Sequence, residues 1–160
     1  MSWYRNWKGW GSQSYPQKLL RGIPTADCLD ANGWITGQLF RIPDTKNTPQ
    51  RHDGFDEISI NWYDNEKSMT VLMTQKKKDK DTLQFPYGVA VLSRKRLDDL
   101  IRHPNTNDDL DYERDPIIGE NPYHGNILQK REITKPRRKM LEASLAMWCF
   151  EYIETPKVQQ

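Results

Sequence analysis

Thiols and imidazoles are scarce in this chain. It has two cysteines, Cys28 and Cys149, far apart and outside any Cys-x-x-Cys pattern, and three histidines, His52, His103 and His124. Two thiols and three imidazoles without ligand spacing do not make a four-ligand zinc site, so both thiols are expected to be free in a reducing compartment. An excess of one sign of charge is lacking too. The 24 Lys and Arg stand against 22 Asp and Glu, a formal net charge of +2, which argues against a dedicated nucleic-acid wrapper. No apolar run approaches the ~20 residues of a membrane-spanning helix, and no signal-peptide core is visible. A Gly-rich phosphate loop, a Gly-x-Ser-x-Gly elbow and a Cys paired with a nearby His are all missing, so no cofactor is expected. The expectation from these absences is a soluble cytoplasmic protein without a complete catalytic signature.

Aromatic residues are what the chain has instead. Its hydrophobic fraction of 36% is low for a globular domain. Six Trp, seven Tyr and four Phe offset the deficit, since each buries roughly 150–250 Å². The 160 residues suit one domain with a genuine core. The expected architecture is α+β: a small, mostly antiparallel sheet of about four to five strands, a long C-terminal helix packed on it, and long polar loops. This domain is placed at residues 16–155, between an arm at 1–15 and a frayed tail at 156–160.

Along the chain, Trp3, Trp7 and Trp10 fall at i, i+4, i+7 among Arg5 and Lys8. Such an arm suits packing onto the domain, onto a second copy or onto a protein partner, and less readily stacking on nucleic-acid bases. A short helical turn is expected at Gln17–Gly22, a turn at Ala31-Asn32-Gly33, a strand at Trp34–Ile42 and a polar loop at Pro43–Gly54. Asp56–Tyr63 alternates Ile58, Ile60 and Trp62 against Glu57, Ser59 and Asn61, the pattern of a half-buried strand. Met69–Thr74 and Phe85–Leu92 read as further strands, the latter central and adjacent to the Asp56–Tyr63 strand, with Val89 and Val91 facing the same core as Ile58. Lys76–Asp81 between them is a charged connection, with phosphate binding as its sharper reading. Ser93 caps a helix over Arg94–Arg102 with Leu97, Leu100 and Ile101 inward. Gly125–Gln129 gives a short strand. Thr134 caps the long last helix, with Pro136 in its first turn and Met140, Leu141, Leu145, Trp148, Cys149 and Tyr152 as its apolar face.

The segment Asp115–Asn126 (Asp-Pro-Ile-Ile-Gly-Glu-Asn-Pro-Tyr-His-Gly-Asn) concentrates Pro, Gly and Asn in a stretch too irregular for helix or strand. Such stiffness aims side chains. His124 is a candidate acid, base or anion donor, Asp115 or Glu120 a partner for it, and Asn121 or Asn126 a donor to a ligand or oxyanion. Asn121, His124 and Asn126 equally serve to bind backbone groups within the loop. Tyr123, Arg51 and His52 complete the set of binding candidates. No metal site is expected.

Leu19–Ile23, Gly37–Arg41, Asp53-Gly54, Asp56–Trp62, Gly88-Val89-Ala90, Asp115-Pro116 and Asn121–Ile127 together resemble a group of small bacterial proteins from variable accessory gene clusters, some linked to phage defence. The resemblance spans residues 19–146 and implies a bacterial cytoplasmic setting, with no activity to carry over. Two readings follow. The first is a non-catalytic adaptor or subunit of such an accessory system, binding a protein partner or a second copy through the Trp-rich arm and polar loops. The second is a small metal-independent hydrolase or nuclease centred on His124, with Arg51, His52 or the Lys76–Lys80 run on phosphates.

Overall fold

Six short strands pair into one sheet in the order β4-β5-β2-β1-β3-β6, and each of these pairings is antiparallel. They are β1 (Lys18–Gly22), β2 (Glu57–Trp62), β3 (Val89–Ser93), β4 (Leu110–Arg114), β5 (His124–Gln129) and β6 (Phe150–Glu154). Among the described residues, three α-helices accompany them: α1 (Glu66–Thr74), α2 (Arg94–Arg102) and α3 (Lys135–Ser144). The computed structural model describes residues 15–41, 57–78, 80–106, 109–131 and 133–155. The Trp3, Trp7 and Trp10 arm, the Pro43–Gly54 loop with Arg51 and His52, and the tail lie outside the described residues.

Both faces of the sheet are covered, unequally. Ile58, Ile60 and Trp62 point into the main core with Leu19, Ala90, Leu92, Tyr112 and Ile127, under Leu97 of α2 and Leu141 of α3. Each fully buried side chain of this size contributes about 1.5–3 kcal/mol. Trp62 is the largest fully buried residue. Its ring meets Tyr15 at 4.7 Å and Tyr112 at 5.4 Å between centroids, and its Nε1 donates to the Glu113 carbonyl at 3.1 Å. Tyr15 therefore belongs to the domain rather than the arm. On the opposite face a smaller cluster of Leu20, Val89 and Val91 is capped by Met69 and Leu72 of α1.

Several expectations are corrected. The expected helical turn at Gln17–Gly22 is strand over Lys18–Gly22: Leu19 and Leu20 are both fully buried, and a segment buried on both faces carries no period to distinguish the two. Trp34–Ile42 holds a 3-10 turn at Gly37–Phe40 and only an isolated bridge, Leu29 to Ile35. Met69–Thr74 lies in helix α1. The Asn65 side chain accepts from Lys67 N at 2.9 Å, an N-cap bond that starts the helix, and Met69, Leu72 and Met73 then share one side. Val89 and Val91 face away from Ile58, and β1 separates β3 from β2. The sheet has six strands because β1, β4 and β6 join β2, β3 and β5. In β4 the inward Leu110 and Tyr112 alternate with Asp111 and Glu113, a strand hidden in an acidic stretch.

The two helices capped by hydroxyls stand where their caps place them. Ser93 Oγ accepts from Arg96 N at 3.2 Å, and Thr134 Oγ1 accepts from Arg137 N at 3.4 Å. The last helix is shorter than its apolar pattern suggests. After Ser144 it widens into a π-helical turn, Leu145–Cys149, and the chain then extends as β6 along β3. Trp148, in the π-helical turn, and Tyr152, in β6, were expected on the buried face and are 60% and 41% exposed, because neither the wider turn nor the strand keeps the 3.6-residue period.

Candidate functional site

The Asp115–Asn126 segment is the tip of the β4–β5 hairpin, not an irregular loop, and its last three residues are strand. Arg114 pairs with Gly125, Asp115 N donates to His124 O at 2.9 Å, and Ile117 and Asn121 exchange both backbone bonds at 2.9 Å. Gly119 completes the turn at φ +81°, a conformation that favours glycine. Ile118, beside it, is 97% exposed.

This tip forms one wall of a cleft of about 600 Å³ on the α1 side of the sheet. Its floor is made by Leu20, Gly22, Ser59, Asn61 and His124. Val71, Leu72, Thr74 and Gln75 of the α1 end, with Phe85, form the second wall, and Ile117, Glu120 and Asn121 form the tip wall. Asn61 and His124 are direct cross-strand partners, so they share that floor.

A chain of side-chain amides ties the walls together. Asn121 Nδ2 donates to Asn61 Oδ1 at 2.8 Å, and Asn61 Nδ2 donates to Ser68 O at 3.1 Å. Asn121 Oδ1 meanwhile accepts from Tyr123 N at 3.1 Å. The tip, the sheet and α1 are thereby held by three bonds, all of them buried or partly buried, each contributing roughly 0.5–1.5 kcal/mol. This is why Asn61, on the polar side of the alternating strand, is only 1% exposed.

His124 is half-buried and its Nδ1 lies 2.8 Å from the Asp115 carbonyl. A carbonyl only accepts, so Nδ1 carries the proton and Nε2 of the neutral ring is an acceptor. The Asp115 carboxylate stands at 3.9 Å from Nδ1. Of the candidates, the fold brings His124, Asn121 and Glu120 to one cleft. Tyr123 stays in the chain between them with its carbonyl accepting from Trp62 N at 2.8 Å. Asn126 is fully buried rather than presented to a ligand, and binds Glu113 Oε1 at 3.2 Å and Asp115 Oδ2 at 3.0 Å. Ser59 and Asn61 were legible only as the polar side of β2; pairing with β5 makes them cleft residues.

Neither thiol reaches this cleft. Cys28 and Cys149 are buried in the main core, and burial pushes the Cys149 thiol up to about 12. No helix among the described residues is long and apolar enough to cross a membrane. Compared with protein-family models, characterised proteins and solved structures, the chain finds no match in any of the three.

Proposed function

We propose that the protein is a non-catalytic binding subunit that holds a protein partner at this cleft, in an accessory system of the kind its sequence resemblance implies. One observation carries the reading: the polar groups that suit catalysis are spent on bracing the hairpin. Asn121 is bonded through both of its side-chain atoms, Asn126 lies beneath the surface, and His124 is anchored to Asp115. The braced tip presents Ile118, the chain neighbour of the cleft-lining Ile117, almost wholly to solvent. A rigid turn holding an exposed isoleucine beside a cleft of mixed polar and apolar lining fits recognition, where preorganisation lowers the ordering entropy of binding. It supplies no nucleophile paired with a base.

Replacing Ile118 by Asp tests this. Tagged wild type and variant are purified from the native host and their bound proteins quantified. The reading requires a partner that recombines with wild type in purified form and loses about tenfold or more in affinity with the variant, the ~1.4 kcal/mol scale of one apolar contact. Equal binding to both proteins refutes it. The hydrolase reading retains one observation in its favour, the acceptor Nε2 of His124 at the cleft. Turnover of RNA, DNA, nucleotide or peptide by wild type, lost in His124→Ala with the fold intact, would establish it instead.

A further inference from the structure

The second wall of the cleft runs out into a group of lysines. Helix α1 stops at Thr74, and Thr74, Gln75 and Phe85 line the cleft. Between Gln75 and Phe85 the chain makes a hairpin. Gln84 N donates to Gln75 O at 2.8 Å, Lys76 and Leu83 form an isolated antiparallel bridge, and Lys77 N donates to Thr82 O at 2.9 Å. Lys80 N then donates to Lys77 O at 3.1 Å. The charged connection between Gln75 and Phe85 is thus held by its own backbone bonds and rooted in the cleft wall.

This hairpin carries an excess of positive charge. Lys76, Lys77, Lys78 and Lys80 stand against Asp79 and Asp81, and all four lysines are exposed. Lys76 Nζ lies 3.7 Å from Asp81 Oδ1. Lys77, Lys78 and Lys80 have no ion-pair partner among the described residues. The fold leaves these like charges together, and an incoming anion relieves their repulsion.

The tip side of the cleft has the opposite sign. Glu120 lines it. Farther along the same face, Glu57, Glu113 and Asp115 each bring an oxygen within 4.8 Å of the other two, because cleft-lining Ser59 faces Asn126 and Asn126 faces Glu113. Val71, Leu72, Phe85 and Ile117 supply apolar lining.

We propose that the partner of the cleft is a protein segment that sets acidic side chains against the Lys76–Lys80 hairpin and an apolar side chain into the cleft. This rests on the cleft being a protein-binding site. Charge complementarity chooses the occupant. An ammonium meets a carboxylate as a point charge without a fixed fork geometry. A nucleic-acid backbone bears a negative charge on every nucleotide, so it brings phosphates against Glu120 and the acidic face as well. A peptide carries charge only where its sequence places it. Complementarity of this kind speeds encounter and selects against wrong partners.

The test selects binders to the full chain from a random-peptide display library. The selected peptides are labelled and titrated by fluorescence anisotropy with wild type, Ile118→Asp, and a triple variant Lys77→Glu, Lys78→Glu, Lys80→Glu. Peptides weakened by Ile118→Asp are expected to carry clustered Asp or Glu beside a large apolar residue. They should bind the triple variant about tenfold or more weakly, and lose affinity with salt, which screens exposed charges over about 8–10 Å. Arginine at the same three positions should preserve binding. Ile118-dependent peptides that lack acidic clusters and bind the triple variant equally overturn this inference and leave the cleft reading standing. Peptides that depend on neither Ile118 nor the lysines refute both. Binding of labelled oligo(dT) that the triple variant abolishes and acidic peptides do not compete overturns it in favour of a phosphate backbone.

Discussion

Gly125 lies inside the most motif-like stretch of the chain, yet the structure gives it a packing role, and Gly125→Ala measures that role. A Cβ placed on Gly125 falls 2.3 Å from Trp62 Nε1, 2.5 Å from the Glu113 carbonyl oxygen and 2.8 Å from Trp62 Cδ1. All three are closer than van der Waals contact permits, and one of the groups is backbone. The indole must move, and it has little room: it is fully buried between Tyr15 and Tyr112. Moving it also breaks the 3.1 Å bond from Nε1 to Glu113 O. Overpacking costs about 1–3 kcal/mol, and an orphaned buried donor about 1–3 kcal/mol more. Together a loss of roughly 2–6 kcal/mol is expected, out of a total near 5–15 kcal/mol. For a domain of this size that lowers the melting temperature by about 4–24 °C. Urea titration and thermal melting give the value, and the red-edge fluorescence of Trp62 should change with it. Gly119→Ala is the control: it stands at φ +81° with open space around its Cβ, so only backbone strain of about 1–2 kcal/mol is expected. If Gly125→Ala lies within about 0.5 kcal/mol of wild type, the range of an inert surface change, the close approach of Trp62 to this strand is wrong.

Asn65→Ala removes the cap of α1 and should lower stability by about 1 kcal/mol in urea titration. Tyr112→Phe deletes the hydroxyl that donates to Asp98 Oδ1 at 2.7 Å. A loss of about 1.5–3 kcal/mol is expected for a bond to a charged acceptor, read from the shift in denaturant midpoint at constant slope. Both thiols should resist a thiol-reactive reagent in the native state and react together on unfolding, because Cys28 and Cys149 are 3% and 1% exposed. The pH dependence of Cys149 has a definite sign. The unfolded thiol ionises near 9.0 while burial holds the folded one to about 12, so the unfolded state releases its proton first and stability falls as pH rises through that window. Cys149→Ala should flatten that part of the stability–pH curve.

Much of what the amino-acid order determined was local. The alternation of Ile58, Ile60 and Trp62 against Glu57, Ser59 and Asn61 is set by the pleat, and one buried face is enough to specify a strand. Ser93 and Thr134 name the starts of α2 and α3 because a capping bond spans only three residues. The α+β class with an antiparallel sheet follows from the same local signals. Tertiary structure decided the rest. Leu19 and Leu20 became strand because β2 and β3 flank them, an environment no window of sequence contains. Phe150–Glu154 left the last helix because β3 offered it an edge of unpaired backbone groups, and that pairing outweighs a continued apolar period. The cleft and the acidic cluster were out of reach for the same reason. Asn61 meets Asn121, and Glu57 meets Glu113 and Asp115, through the pairing of β5 with both β2 and β4. Register between strands distant in the chain is fixed by the shared core around Trp62, and it is that register which turns separate polar residues into one surface.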